Sequence, residues 1–159
     1  MASTRDKLHV CFVCTGNICR SPIAEKVFAY ELDAAGLADH VTVTSAGTTG
    51  WHVGEPADPR AAKLLRRHGY SDSHVARQID ADTLSADLLV ALDEGHRRAL
   101  LERVADPDRV RLLRSFDPQA PAGAGVPDPY YGGPEAFDEV LDMIRAAMPG
   151  LLDWVRKNL

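Results

Sequence analysis

A nine-residue segment near the N-terminus, residues 14–22 (CTGNICRSP), combines side chains that bind an anion and attack it. Cys14 offers a thiolate nucleophile. The planar guanidinium of Arg20, six positions later, can hold two oxygens of a phosphate group. Together they predict phosphoryl transfer through cysteine, in which backbone N–H groups and Arg20 stabilise the developing charge and no metal or other cofactor takes part.

The predicted surroundings of this segment favour that chemistry over a cysteine that is merely a small buried side chain. Residues 8–13 form an apolar run typical of a buried strand, and a helix is expected over residues 21–35. A loop between a strand and a helix points free N–H groups at one place, where the helix dipole also favours an anion. Gly16 removes a side chain from the turn, and Asn17 accepts a left-handed backbone. The other expected members of this phosphate-binding loop are Thr15, Ile18, Cys19 and Ser21.

Apolar periodicity predicts three more strands and three more helices. The strands are expected at residues 41–45, 86–92 and 110–113, and the helices at 59–68, 95–104 and 135–157. The last helix has a weak point at Pro149-Gly150, and Trp154 is expected in the core. Residues 115–134 are rich in Pro, Gly and Asp and predict a long functional loop. Strands alternating with helices predict a parallel sheet covered on both faces, with ligands at the carboxyl ends of its strands.

Length, charge and cysteine content exclude several classes of protein. A chain of 159 residues suits one domain, residues 1–159, and a net charge of −5 argues against a nucleic-acid partner. Residues 1–7 are polar, and the apolar run that follows is too short for a signal core or a membrane span. The three cysteines crowd into positions 11–19, so we expect free thiols and a cytoplasmic location, with export by a non-standard route left open.

Outside the loop, the residues alone leave several assignments open. A leaving oxygen needs a proton donor, and the Asp-Pro pairs at Asp117 and Asp128 are equal candidates. Trp51 fits a cleft wall or a packing position, and His74 fits the surface or the core. The remaining histidines have no metal-ligand spacing and receive no catalytic role; they are His9, His40, His52, His68 and His96.

Four segments, taken in order, resemble the low-molecular-weight protein tyrosine phosphatases, most closely their actinobacterial members. They are residues 14–22, 44–48 (TSAGT), 74–79 (HVARQI) and 128–132 (DPYYG), and they extend over nearly the whole chain. The resemblance implies a flavodoxin-like α/β fold, a three-layer sandwich with a central four-stranded parallel sheet in the order 2-1-3-4. It also implies hydrolysis of phosphotyrosine proteins through a phosphocysteine on Cys14, with inorganic phosphate as product inhibitor.

The resemblance assigns an acid and a substrate rim. Asp128 becomes the expected general acid and base, and a flat slot between Trp51, Tyr130 and Tyr131 is expected to hold the substrate ring. Such a slot favours phosphotyrosine, because a shorter phosphoserine would not reach the cysteine. His52 is placed at the same rim. Tyr130 and Tyr131 are also plausible targets of a tyrosine kinase.

The loop is expected to be held by a supporting network. Ser21 is expected to donate a hydrogen bond to the Cys14 sulfur, and the resemblance implies a network of Asn17, Ser45 and His74. It also supports a hypothesis that Cys19 traps an oxidised Cys14 as a disulfide. Cys11 is expected in the core, because a strand would separate its side chain from that of Cys14.

Three other functions compete with this interpretation. A related thioredoxin-coupled arsenate reductase would need a further cysteine pair after Cys19, and none follows. A phosphoarginine phosphatase of the same family would carry Thr at Ile18, so an apolar residue there favours tyrosine. A phosphate-binding module without catalysis would not need Cys14, Arg20 and Asp128 together. No Walker-type loop is present to support nucleotide hydrolysis.

Overall fold

Strands and helices alternate along the part of the chain that the computed structural model describes, residues 7–159. Residues 1–6, which belong to the predicted polar N-terminal segment, lie outside the described residues. The strands are β1 (Leu8–Cys14), β2 (Val41–Gly47), β3 (Leu88–Ala91) and β4 (Val110–Leu112). The helices are α1 (Arg20–Ala34), α2 (Pro59–Arg67), α3 (Ala81–Leu84), α4 (Glu94–Leu101) and α5 (Pro134–Asn158). Short 3₁₀ turns occupy Ala38–His40, Pro107–Arg109 and Leu113–Phe116.

The four strands form one parallel sheet in the order β2-β1-β3-β4, which confirms the expected order. In this register Cys14, the last residue of β1, lies opposite Gly47, the last residue of β2. Val13 pairs with Ala91, the last residue of β3. The carboxyl ends of these three strands therefore meet at one edge, and the predicted phosphate-binding loop leaves the sheet there.

Side chains of β1 alternate between two layers of helices, as a buried parallel strand requires. Val10 and Phe12 belong to a core formed with α1, α2 and α5, where the Phe12 and Phe28 rings pack edge to face. Cys11 and Val13 point to the other side and pack with residues of α3 and α4. The sheet thus lies between two helical layers, which confirms the three-layer α/β sandwich.

Boundaries of the predicted elements differ from the structure by at most three residues, and the largest difference is the end of α4, at Leu101 rather than Val104. The Asp93 carboxylate accepts a hydrogen bond from the His96 N–H, so α4 begins at Glu94 rather than at Gly95. The sequence did not predict α3. Its four residues are too few for a periodic pattern, and a capping box between Asp80 and Thr83 forms it.

The predicted weak point in the last helix is not a break, because α5 runs through Pro149. A side chain at Gly150 would overlap the Phe116 carbonyl, so this glycine allows the preceding 3₁₀ turn to pack directly on the helix. Trp154 is only partly buried, but it packs against the larger core as expected. Neither α5 nor any other helix of residues 7–159 has the length and apolar content needed to cross a membrane.

Candidate active site

The phosphate-binding loop connects β1 to α1 and is fixed by the end of β2. Asn17 adopts a left-handed backbone, with φ of 58°, as its residue type predicts. The Thr15 carbonyl accepts hydrogen bonds from both the backbone N–H and the hydroxyl of Thr49, each at 3.0 Å. A side chain at Gly47 would meet the Thr15 carbonyl oxygen at 2.7 Å. Glycine is therefore required where β2 passes the loop.

The Cys14 sulfur lies at the start of this loop, 3% exposed and 2.9 Å from the Ser21 hydroxyl. The Asn17 amide fixes the direction of this bond. Its oxygen must face the Arg77 backbone N–H at 2.9 Å, so its nitrogen donates to Ser21 at 2.8 Å and to Ser45 at 2.9 Å. Because Ser21 accepts from the amide, its own hydrogen is directed to the sulfur. A hydroxyl donor of this kind stabilises a thiolate.

The expected supporting network is present, and it extends one residue further than the sequence predicted. The His74 Nε2 donates to the Asn17 carbonyl at 2.7 Å, and burial lowers the pKa of this imidazole. Ser45 accepts from the Asn17 amide and donates to Glu25 at 2.5 Å. Glu25 lies one helical turn after Ser21 on α1, and this spacing is the sequence feature that could have predicted its place in the network.

Arg20 is held by a carboxylate that the sequence analysis missed. The residue is 3% exposed, and its Nη1 donates to Asp93 Oδ2 at 2.8 Å and to the Val126 carbonyl at 2.9 Å. Burial would raise the pKa of Asp93, but the hydrogen bonds from Arg20 and from the His96 backbone N–H hold it below its usual range. The sequence feature that could have identified Asp93 is its position just after a predicted buried strand, at the edge of the sheet where ligands bind.

A cleft of about 240 Å³ opens above the loop. The residues lining it are Cys14, Thr15, Gly16, Ile18, Cys19, Arg20, Trp51, His52, Asp128, Tyr130 and Tyr131. Ser21, Asn17, Ser45 and His74 lie outside this lining, behind the loop. The structure therefore brings together the predicted catalytic and rim residues in one place. Trp51 is 78% exposed at the mouth, which excludes the packing alternative for it.

The two candidate acids occupy different places. Asp128 lines the cleft, and one of its oxygens lies 3.8 Å from Arg20 Nη2. Asp117 does not line the cleft, and its carboxylate accepts from the Gln119 N–H within a local turn. Of the two, only Asp128 lies in the cleft beside Arg20.

Arg60 joins α2 to residues 126–133, which we call the acid loop. Its guanidinium lies over the Tyr130 ring at 5.4 Å and over the Phe137 ring at 4.8 Å. It also binds both carboxylate oxygens of the buried Asp58, at 3.1 and 3.0 Å. Burial alone would raise the pKa of Asp58, but these hydrogen bonds hold it below its usual range. Arg60 therefore supports the Tyr130 side of the cleft.

Comparison with known proteins decides the family. The family model described as low molecular weight phosphotyrosine protein phosphatase matches residues 9–159. The chain belongs to this family. It is 57% identical over 155 residues to low molecular weight protein-tyrosine phosphatase A of Mycobacterium tuberculosis, covering 97% of this chain and 95% of the relative. A low molecular weight protein-tyrosine-phosphatase of Streptomyces coelicolor is 54% identical over 157 residues, with 95% of each chain covered.

A solved structure agrees with the sequence relatives. The crystal structure of a protein tyrosine phosphatase from Entamoeba histolytica matches with a TM-score of 0.90 at 30% identity, covering 96% of this chain and 99% of that one. The expected resemblance to actinobacterial members is confirmed by the two bacterial relatives. The chain is therefore an enzyme, a protein-tyrosine phosphatase, as the sequence predicted.

Of the other two cysteines of the phosphatase, Cys11 lies in the core and Cys19 lines the cleft. Among residues 7–159 all three thiols are free and buried. Burial raises the pKa of Cys11 to about 12, and it raises the pKa of Cys19 further. Neither of these two thiols is ionised at neutral pH. Within the same described range, no group of three or more potential ligand side chains is arranged to hold a metal ion.

Proposed function

We propose that this phosphatase hydrolyses phosphotyrosine through a phosphocysteine on Cys14, with Asp128 as general acid and then general base. One observation carries the proposal. The buried Cys14 sulfur, the Arg20 guanidinium and the Asp128 carboxylate line one cleft, and aromatic side chains form its mouth. A nucleophile, an anion ligand and a proton donor are the three groups that this reaction needs.

In the first step the Cys14 sulfur attacks phosphorus, and the bond from phosphorus to the tyrosine oxygen breaks. The leaving oxygen takes the proton of Asp128. Arg20 Nη1 is bound to Asp93 and to Val126, while Nη2 lies toward Asp128. That fixed guanidinium and the loop N–H groups stabilise the charge on the phosphoryl oxygens without reorganising.

In the second step water attacks the phosphocysteine, and the ionised Asp128 accepts a proton from that water. The sulfur–phosphorus bond breaks, and the thiolate returns to the hydrogen bond from Ser21. Inorganic phosphate is the product. Because it fits the same loop N–H groups and Arg20, we expect it to inhibit competitively.

The mouth of the cleft supports selectivity for tyrosine. Trp51, His52, Tyr130 and Tyr131 all line it, and the Tyr130 and Tyr131 rings pack edge to face at 4.9 Å. We expect a phenyl ring to reach from this rim to the sulfur and the short phosphoserine side chain to fall short of it. Phosphorylation of Tyr130 and Tyr131 by a tyrosine kinase stays a prediction. Both side chains are accessible to a kinase, and Tyr131 is 94% exposed.

The test of the proposed function is phosphate release from matched peptides that carry phosphotyrosine, phosphoserine or phosphoarginine, with a chelator present. We expect release from phosphotyrosine alone. Release from phosphoarginine at a similar rate would show that the interpretation of Ile18 is wrong. A folded protein that releases phosphate from none of the three peptides would overturn the proposal and favour a phosphate-binding module.

Replacing Arg60 should weaken aryl substrate binding more than catalysis. We expect Arg60→Met to raise KM for an aryl phosphate about threefold, because a cation–π contact at an exposed site contributes about 0.5–1 kcal/mol. The value of kcat should change less, since the loop N–H groups and Arg20 are untouched. Steady-state kinetics measure both constants.

The matched control is Arg66→Met on the same helix. Arg66 pairs with Asp72 at 2.7 Å and does not line the cleft. We expect its KM to stay at the wild-type value. Equal KM values in the two variants would show that Arg60 does not support the Tyr130 wall.

Two broader predictions accompany the proposed function. We propose that residues 1–159 act as a single phosphatase domain, in line with the family match over residues 9–159. A cytoplasmic location and the trapping of oxidised Cys14 by Cys19 stay predictions. Cys19 lines the same cleft as Cys14, which is the arrangement that the trapping hypothesis needs.

A further inference from the structure

His96, which the sequence analysis left without a role, lies buried against the phosphate-binding loop. The side chain belongs to the first turn of α4 and is 4% exposed. Its Nε2 lies 2.8 Å from the Thr15 hydroxyl oxygen. Its Nδ1 lies 3.2 Å from Asp93 Oδ1 and makes no hydrogen bond of good geometry with the described residues. A buried imidazole thus lies between the loop and the carboxylate that holds Arg20.

The charge state of this ring follows from its surroundings. Burial lowers the pKa of His96 to about 4, although the Asp93 and Asp128 carboxylates oppose that shift and Arg20 adds to it. The ring is therefore neutral at neutral pH and carries one proton. The charged Asp93 oxygen faces Nδ1, where a lone pair would be repelled and a proton attracted. The proton therefore resides on Nδ1, which leaves Nε2 as an acceptor.

An acceptor at Nε2 fixes the Thr15 hydroxyl as a donor. Thr15 is then held on two sides, because its carbonyl already accepts from Thr49 while its hydroxyl donates to His96. It is also the residue directly after Cys14. Restraint at this position fixes the backbone at the start of the loop, where Thr15 and Gly16 both line the cleft.

Asp93 joins this restraint to the anion ligand. One oxygen of its carboxylate binds Arg20, and the other accepts from the His96 backbone and faces its ring. The N-terminus of α4 therefore holds Arg20 through Asp93 and Thr15 through His96, and these two side chains face each other. Loss of the imidazole would release the Thr15 contact and leave the Arg20 contact in place, so the two effects are separable by mutation.

We propose that His96 is a positioning residue for the phosphatase reaction: its Nε2 accepts the Thr15 hydroxyl hydrogen and holds the phosphate-binding loop in the conformation that receives the phosphoryl group. This inference rests on the proposed function. The proposed role belongs to the Nε2 atom as a hydrogen-bond acceptor, and not to the space that the imidazole ring fills. The conservative variant His96→Gln places an amide oxygen near the position of Nε2. It therefore separates the loss of the hydrogen bond from the loss of ring packing.

The experiment compares His96→Leu, His96→Gln, Thr15→Val, Thr15→Ser and the double variant His96→Leu/Thr15→Val. Turnover of an aryl phosphate and the affinity for inorganic phosphate are measured for each variant, together with its melting temperature. We expect His96→Leu and Thr15→Val each to lower kcat/KM and phosphate affinity roughly tenfold, the scale of one lost buried hydrogen bond. The double variant should fall no further than either single one.

Rescue distinguishes positioning from packing. His96→Gln and Thr15→Ser should stay within about threefold of wild type in both measurements, because each retains its half of the hydrogen bond. The inference is overturned if His96→Gln is as impaired as His96→Leu, or if the two single losses multiply in the double variant. It is equally overturned if His96→Leu binds phosphate and turns over substrate like the wild type.

The design also separates this inference from the proposed function. If the wild type releases no phosphate from phosphotyrosine, the proposed function fails, and the inorganic phosphate affinities alone decide the role of His96. If the wild type is active while all His96 and Thr15 variants match it, only the His96 inference fails. Should His96→Leu not fold, Thr15→Val and Thr15→Ser make the same comparison from the loop side.

Discussion

Cys14→Ser is expected to lower kcat by about 10⁴-fold or more, because a serine hydroxyl at this site is neither ionised nor a strong nucleophile toward phosphorus. Serine is slightly smaller than cysteine and keeps one hydrogen-bonding atom near Ser21, so the fold should persist. Initial rates with an aryl phosphate, at substrate levels well above KM, measure the loss.

Two further measurements make this result specific to the nucleophile. Inorganic phosphate should still bind Cys14→Ser, because Arg20 and the loop N–H groups remain. The matched control is Cys11→Ala, on the same strand but in the core on the opposite face of the sheet; it should keep wild-type turnover. Substantial turnover in a folded Cys14→Ser that still binds phosphate would remove Cys14 as nucleophile.

Local chemistry explains why the fold and the loop could be predicted from sequence. The apolar run that became β1 and the Gly-Asn pair after it constrain their own backbone, whatever lies further along the chain. Asn17 adopts the left-handed conformation for this reason. The strand order, in contrast, rested on the family resemblance, because the periodicity of a strand carries no information about its neighbours.

Contacts between distant residues account for what the sequence missed. Asp93 binds Arg20 across 73 positions, and His96 binds Thr15 across 81. Neither pair has a spacing that sequence alone distinguishes from chance. The rule that ligands bind at the carboxyl ends of parallel strands was the available clue for Asp93, and His96 follows from it by one turn of α4.

The choice between Asp117 and Asp128 also depends on contacts between residues that are distant in the sequence. Both precede a proline in one loop, so their local sequences are equivalent. The structure separates them through Val126, whose N–H donates to the carbonyl of Leu92 at 2.7 Å and whose carbonyl accepts from Arg20. The acid loop is thereby tied to the sheet edge two residues before Asp128, while Asp117 stabilises only its own turn.

Asp128→Asn is expected to lower kcat for phenyl phosphate by about 10²–10⁴-fold, because the amide cannot protonate the leaving oxygen. A nitrophenyl leaving group needs no proton, so the first step with that substrate should be much less affected. The values of kcat/KM for a series of aryl phosphates, which report the first chemical step, should therefore depend on leaving-group acidity more steeply in Asp128→Asn than in the wild type. Asp117→Asn, the matched control outside the cleft, should behave as wild type.

The second step gives Asp128→Asn a distinct signature. With nitrophenyl phosphate the thiolate is still phosphorylated, but no carboxylate accepts a proton from the attacking water, so the phosphocysteine should accumulate. Rapid mixing should then show a burst of nitrophenolate equal to the enzyme concentration, and a mass increase of one phosphoryl group on Cys14. If phenyl phosphate turnover is unchanged, the acid assignment is wrong. Slow turnover of phenyl phosphate together with near wild-type turnover of nitrophenyl phosphate would instead place the role of Asp128 in the first step alone, and another group would have to activate the water.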